Sequence, residues 1–388
     1  MEQQRFESGK APQITITQCQ GDLVIRSWAD PAVLVKGNNF QAVETETGLS
    51  ISSSDKLKLM VPAAAAVSVA KALGDVVIKH VSGSCALKAV NGDLILSGLG
   101  SVEVDSVLGD LSAKNLDGSM MIGRVNGDIA MRNVGQIILD HVYGDMAARF
   151  INGSITLNKV SGDISLNTVS GDLDITTGQR DANLRNLGGV TKLANIQGDI
   201  RLRGGLRPGK HSFTAQGDII VKWPTGEPLN LTATAPSITN RLQLEDTAEN
   251  GNTLTGRLGD GETTLFLTAG RHIVLKDVRM INEKWENDQV KEAEFEFGFD
   301  LHGFGAKISS QVSEHLARAT AEVERAMRRA EKSMSRARWQ AGSGPRPTSA
   351  KPPERKASHE EQLKILQMVE KGIISPDEAA TLLDALKD

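Results

Sequence analysis

Aromatic residues are scarce in this chain: nine phenylalanines, four tryptophans and one tyrosine among 388 residues. Its core must therefore be filled with Leu, Ile, Val and Met, which suits a thin, repetitive interior. Cysteine is scarcer still. Cys19 and Cys85 stand far apart in no metal or redox spacing, and both alternate with strand-type residues. They are expected as buried thiols, not as a disulfide. No apolar run is long enough for a transmembrane helix, which needs about 18 such residues. The opening Met1-Glu2-Gln3-Gln4-Arg5-Phe6 has no apolar core of a secretory signal, so the expected compartment is the cytoplasm. The formal net charge is only −4, and the length admits two or more domains.

Signatures of catalysis are missing too. The chain has no phosphate-cradling loop, dinucleotide fingerprint or nucleophile elbow. His80, His141, His211, His272, His302, His315 and His359 are scattered without metal-ligand spacing and are expected on the surface or on strand faces. No cofactor and no metal are expected, and the chain is not expected to be an enzyme. A carbohydrate-active β-helix is the catalytic alternative, but such sites sit on long loops that a steady repeat does not leave room for.

What is present is a repeat. From Gly74 to about Asp172 a glycine pair returns every eight or nine residues, alternately Gly-Asp and mostly Gly-Ser. The Gly-Asp set is Gly74-Asp75, Gly92-Asp93, Gly109-Asp110, Gly127-Asp128, Gly144-Asp145 and Gly162-Asp163. The full unit is about 17–18 residues in two unlike halves, and self-similarity at fixed period signals a solenoid. Within each half, apolar residues step by two and then by three, as in Leu94, Leu96 and Leu99. Alternation followed by a parity break reads as a short strand running into a corner. Asn or Ser before glycine suits the positive φ of a tight turn. The expected fold is mainly β: a parallel β-solenoid with about two strands per coil, stacked about 4.8 Å apart. An antiparallel meander is the alternative, because Asn-Gly also favours hairpins.

Stacking would place the six aspartates along one edge, where charges about 5 Å apart repel by roughly 0.8 kcal/mol in water. That is tolerable if each carboxylate accepts N–H bonds within its own corner. A calcium ladder would need extra glycines and a second acidic position, so structural corners are favoured.

The expected organisation is a β region and cap at 1–73, the solenoid at 74–222 and a second β cap at 223–305. A helix follows at 306–340, with an apolar stripe through Ile308, Val312, Leu316, Val323 and Met327. Its second half is basic: Arg325, Arg328, Arg329, Lys332 and Arg336. These cations could meet an anionic membrane surface, although docking or pairing of the helix is favoured and nucleic acid is disfavoured. Residues 341–357 form a Pro-rich linker. The tail at 358–388 reads as two short helices, with Leu363, Leu366, Val369 and Ile373, then Leu382, Leu383 and Leu386, as the apolar face for a protein partner or a second copy. Ser375-Pro376-Asp377-Glu378 opens the second helix as a capping box.

The Gly-Asp repeats, the Leu59-Met60-Val61-Pro62 lead-in and the tail from Leu363 to Leu386 together resemble a family. The body is similar to the bacterial putative-adhesin β-strand-repeat family, a domain family of unknown function. The tail resembles the SHOCT-like helical module of the LiaX/YvlB type, although there the module lies at the N-terminus. The resemblance implies a non-catalytic scaffold associated with the cell envelope or its stress response.

Overall fold

The computed structural model describes residues 2–278, which form strands joined by turns and bends. The expected helix at 306–340, linker at 341–357 and two-helix tail at 358–388 lie outside the described residues, as does the end of the second flank from 279 to 305.

The strands divide between a 15-stranded sheet A and a 16-stranded sheet B and alternate between them through the repeat. Strand β8 (Ala66–Ala72) lies in sheet B, β9 (Val76–Lys79) in A, β10 (Cys85–Val90) in B and β11 (Leu94–Leu99) in A. The alternation continues to β24 (Gly209–Ala215) and β25 (Ile219–Pro224). Each strand pairs in parallel with its counterparts one coil away. Thus β11 meets β13 (Leu111–Leu116) with Leu94 opposite Leu111, Leu96 opposite Ala113 and Leu99 opposite Leu116. Two strands make one coil. The parallel pairing replaces the alternative of an antiparallel meander.

Equivalent side chains stack in columns, and the inward columns are mostly aliphatic and buried from Ile14 to Leu275. Cys19 and Cys85 belong to this core as free thiols. Burial pushes the Cys19 thiol up to about 11 and the Cys85 thiol to about 12.

The parity break has a different cause in each sheet. In sheet A the fifth strand residue adopts left-handed φ: His80 (56°), Gly98 (65°), Asn115 (55°), Asn133 (53°), Phe150 (56°), Thr168 (62°) and Asn186 (54°). Pairing skips that residue, passing from Ser97↔Lys114 to Leu99↔Leu116. In sheet B it skips the fourth, passing from Leu87↔Val104 to Ala89↔Ser106. This is why the half-units differ.

The expected positive φ at the corner glycines is corrected: none of Gly74, Gly92, Gly109, Gly127, Gly144 or Gly162 has it. They are glycine because stacked corners approach too closely for a side chain. A Cβ on Gly92 would strike the Asp75 carboxylate and come 2.7 Å from the Gly74 carbonyl carbon.

At each end of the stack the order of coils departs from the order in the chain. The first coil, β2 (Gln13–Cys19) with β3 (Leu23–Trp28), is held between the β8–β9 coil and an outer coil of β6 (Gly48–Ser53) and β7 (Leu57–Pro62). The last, β30 (Thr263–Ala269) with β31 (His272–Val278), is likewise held between the β24–β25 coil and an outer coil of β26 (Leu229–Thr234) and β27 (Ser237–Asn240). Antiparallel strands finish three of the four edges. These are β1 (Glu2–Glu7) on β4 (Ala32–Gly37), β5 (Phe40–Thr45) on β6, and β28 (Glu245–Asn250) on β29 (Thr253–Leu258), which itself pairs with β26. The outermost β1 and β28 are polar and exposed, which discourages edge-to-edge pairing.

Candidate functional site

The aspartates of the repeat form one continuous row along a corner of the stack. Each accepts a hydrogen bond from the next coil, not within its own corner as expected. The Asp93 N–H donates to Asp75 Oδ1 (2.9 Å), Asp110 N–H to Asp93 Oδ1 (2.9 Å) and Asp128 N–H to Asp110 Oδ1 (2.8 Å). Asp145 donates to Asp128 and Asp163 to Asp145, both at 2.7 Å. The row then runs through Asp181, Asp199 and Asp218. Asp181 was hidden in the sequence because Arg180 stands where the other corners carry glycine. Each carboxylate thus meets a backbone donor that would otherwise lack a partner, which outweighs the repulsion between neighbours. Among the described residues no group of three His, Cys, Asp or Glu side chains comes together in an arrangement that could hold a metal ion.

Cations close on both ends of this row. At one end Asp22 Oδ1 accepts the Asp75 N–H (3.4 Å), and Lys56 Nζ lies 2.8 Å from Asp22 Oδ2. At the other end Arg201 spans Asp181 (2.6 Å) and Asp199 (3.1 Å), and Arg271 reaches Asp199 (2.9 Å) and Asp218 (3.5 Å). Burial, the largest effect on the Asp181 carboxyl, would raise its pKa. The Asp199 N–H, Arg201 and Arg271 together outweigh burial and hold it below the ordinary carboxylate value.

A second row emerges only from the strand register. The fourth residues of the sheet A strands stack on the outer face in the order Arg26, Lys79, Ser97, Lys114, Arg132 and Arg149. The column continues through Asn167, Arg185, Arg203, Lys222 and Lys276. From Leu23–Trp28 to Ile219–Pro224 the sheet A strands of this column contain no Asp or Glu. The crowding of like charge is felt at Lys79, whose ammonium is held below its ordinary pKa by burial first and by Arg26 second. The Nε–H groups of Arg26 and Arg203 are shielded from solvent without an acceptor among the described residues. Sequence reasoning missed this column because its members lie a full coil apart; aligning the chain on its repeat would have revealed it.

The outer face of sheet B is different. It carries an open groove of about 490 Å³ at Gly123, flanked by exposed Met121 and Ile138 and by Glu103, Asp105 and Asp140. Asn158 Nδ2 donates to Asp140 Oδ1 at 2.7 Å.

His211 also departs from expectation. It is fully buried in the inward column of sheet B, against Thr191. Its Nδ1 accepts the Thr191 N–H (3.2 Å), and its Nε2 lies 2.8 Å from the Arg207 carbonyl, which makes Nε2 the protonated nitrogen. Burial lowers its pKa, with the Arg207 hydrogen bond opposing. The expected membrane-facing cations Arg325, Arg328, Arg329, Lys332 and Arg336 lie outside the described residues. So do the partner-binding residues Leu363, Leu366, Val369, Ile373, Leu382, Leu383 and Leu386.

Comparison with known proteins bears chiefly on the tail: residues 360–388 match the model of the SHOCT-like domain. No curated protein matches the chain. Among solved structures, a "putative cell adhesion protein" from Clostridium sporogenes is similar at 10% identity over 71% of this chain and 98% of that one. Its TM-score of 0.15 is too low to argue from.

Proposed function

We propose that this chain is a non-catalytic scaffold, in which a two-sheet stack presents a repetitive surface and the SHOCT-like tail recruits a protein partner or a second copy. The observation that carries this reading is the brevity of the corners through the repeat, which leaves no loop on which a loop-borne catalytic site could be assembled. The tail supports it: about thirty residues bury little core alone, so its apolar face calls for a surface to cover it. In this proposal 306–340 is an amphipathic helix, 341–357 a tether and 358–388 the two-helix capture unit. In the full chain, Leu366→Asp or Leu383→Asp should abolish partner capture or self-association while the β-type circular dichroism stays unchanged. Capture that survives both substitutions refutes the tail's role.

The cationic run from Arg325 to Arg336 supports a location at the cytoplasmic face of an anionic membrane, in keeping with an envelope role. Flotation with anionic vesicles should then occur at low salt and disappear in Arg328→Glu/Arg329→Glu. Absence of flotation at low salt removes this part of the proposal.

A further inference from the structure

We propose that the bare edge of sheet A at β27 is a strand-docking site, filled by residues 293–301 of this chain running antiparallel to it. The inference concerns one end of the stack, so it goes beyond the scaffold reading and does not depend on the tail. Three observations meet there. The first is an imbalance. At the end that holds β30 and β31, sheet B continues past the outer coil by two strands, β29 and β28, whereas sheet A stops at β27. At the opposite end both sheets continue, sheet A with β4 and β1 and sheet B with β5. A short edge strand can be left bare, but this one leaves core uncovered. Ile238 stands in the column of fully buried Ile219 and Ile273 yet is itself only partly buried, as are Leu244 and Leu258 at the same end of the core. The second observation is the hydrogen bonding. The Arg241 N–H donates to the Leu275 carbonyl, so alternate residues of this strand face β31. The N–H and C=O groups of Ile238 and Asn240 therefore point to the open side, the arrangement to which an extended segment adds.

The third observation is the sequence that follows β31. Four of the chain's nine phenylalanines fall between 295 and 304. Ala293, Phe295, Phe297, Phe299 and Leu301 alternate with Glu292, Glu294, Glu296 and Asp300, the period of a strand with one apolar face. The opposite end of the stack uses its aromatics in this way, since Phe6 of β1 and Phe40 of β5 pack against the core. The chain leaves β31 at Val278, and 279–292 is long enough to cross the roughly 10 Å to the position beyond β27. Turning back from there makes the added strand antiparallel, as at the other three edges. With the phenylalanines turned onto Ile238, the acidic face falls beside Lys276 and exposed Arg241. The β27 strand of a second copy could pair with the same edge but would bring neither the aromatic face nor the acidic one.

Hydrogen exchange of the full-length protein, read residue by residue by NMR, tests this. Amides within 293–301, with those of Ile238 and Asn240, should exchange about tenfold or more slower than in an unstructured chain. Phe295→Asp/Phe297→Asp should remove protection from both sets and leave residues 94–169 protected. Ile238→Pro deletes an outward N–H without touching the ladder to β31, a substitution that edge strands tolerate, and should free 293–301. Leu366→Asp in the tail should change neither set. The inference is overturned if 293–301 exchange freely, if their protection survives Ile238→Pro, or if Ile238 and Asn240 stay protected in the phenylalanine variant. Protection at Ile238 and Asn240 that rises with protein concentration would assign the edge to a second copy and overturn it as well. None of these outcomes bears on partner capture by the tail, so the two proposals fail separately.

Discussion

Gly144→Ala should destabilise the stack by roughly 2–5 kcal/mol, combining overpacking with the loss of a partly buried hydrogen bond. The added methyl group would collide with the Asp128 carboxylate and lie 2.7 Å from the Gly127 carbonyl carbon. For the carboxylate to move away, the 2.7 Å bond from the Asp145 N–H must break, which orphans a donor between two coils. Both backbones belong to parallel ladders, so neither can retreat without disturbing several inward columns. Hydrogen exchange should show the loss of protection centred on residues 127–163, because stability in a solenoid is propagated between neighbouring coils. Two companion variants separate the causes. Asp128→Asn keeps an acceptor and should be nearly neutral, whereas Asp128→Ala should cost about 1–2 kcal/mol. Gly251, at φ +58° with open space around it, should lose only about 1 kcal/mol on substitution by alanine. A Gly144→Ala protein as stable as the Gly251 variant would show that the corners are not sterically closed.

Stability should fall as pH drops below about 6.5, and the fall should be smaller in His211→Asn. Folding lowers the imidazole's proton affinity, so the folded state holds His211 neutral. Above the ordinary imidazole pKa of 6.5 both states are neutral, and the contribution is fully present. Below it the unfolded chain gains a proton that the folded chain resists. Stability is therefore lost progressively as pH falls towards and through the lowered folded pKa, by up to about 1.4 kcal/mol per pH unit. Protonation would occur at Nδ1, the atom that accepts the Thr191 N–H, so acid both charges a buried ring and breaks a backbone hydrogen bond. Asparagine can retain that acceptor without titrating. Its variant should melt lower than the parent at pH 7.5, having lost the Arg207 contact, yet change less between pH 7.5 and 5.5. His141 is also shifted downwards, chiefly by burial and then by Lys159, so the informative quantity is the difference between the two proteins. Equal pH slopes would refute the assignment to His211.

The interior was legible because stacking preserves sequence period. Leu94, Leu96 and Leu99 recur as aliphatic triplets, and those triplets are the inward columns. Two strands per coil followed from the alternation of Gly-Asp with Gly-Ser. The role of the corner glycine was misplaced for a physical reason. A sequence reports that a side chain is missing but not whether φ or a neighbour forbids it, and here the positive φ belongs to residues near or just past the ends of the sheet A strands, from His80 to Asn186. Outward columns were not legible by local inspection, because Lys114 and Arg132 are remote in sequence and adjacent only through the register. His211 misled because it lies in a column otherwise filled by residues such as Ile155 and Leu173. Its burial depends on the Thr191 N–H and Arg207 carbonyl contributed by other segments.

The exchanged order of coils at the two ends gives the stack something like a lock. An ordinary solenoid can fray from its termini one coil at a time, each freed coil becoming a loose tail. Here the outer coil of β6 and β7 is tied by the chain on both sides to coils beneath it, so its detachment opens a closed loop. A loop with anchored ends gains less entropy than a free tail, which leaves reclosure favoured. The first coil, in turn, cannot leave without breaking a ladder on each side. Assembly bears the corresponding cost: strands distant in sequence must meet before either end is complete. Closure of the ends should therefore follow the middle coils, whose contacts span single repeats.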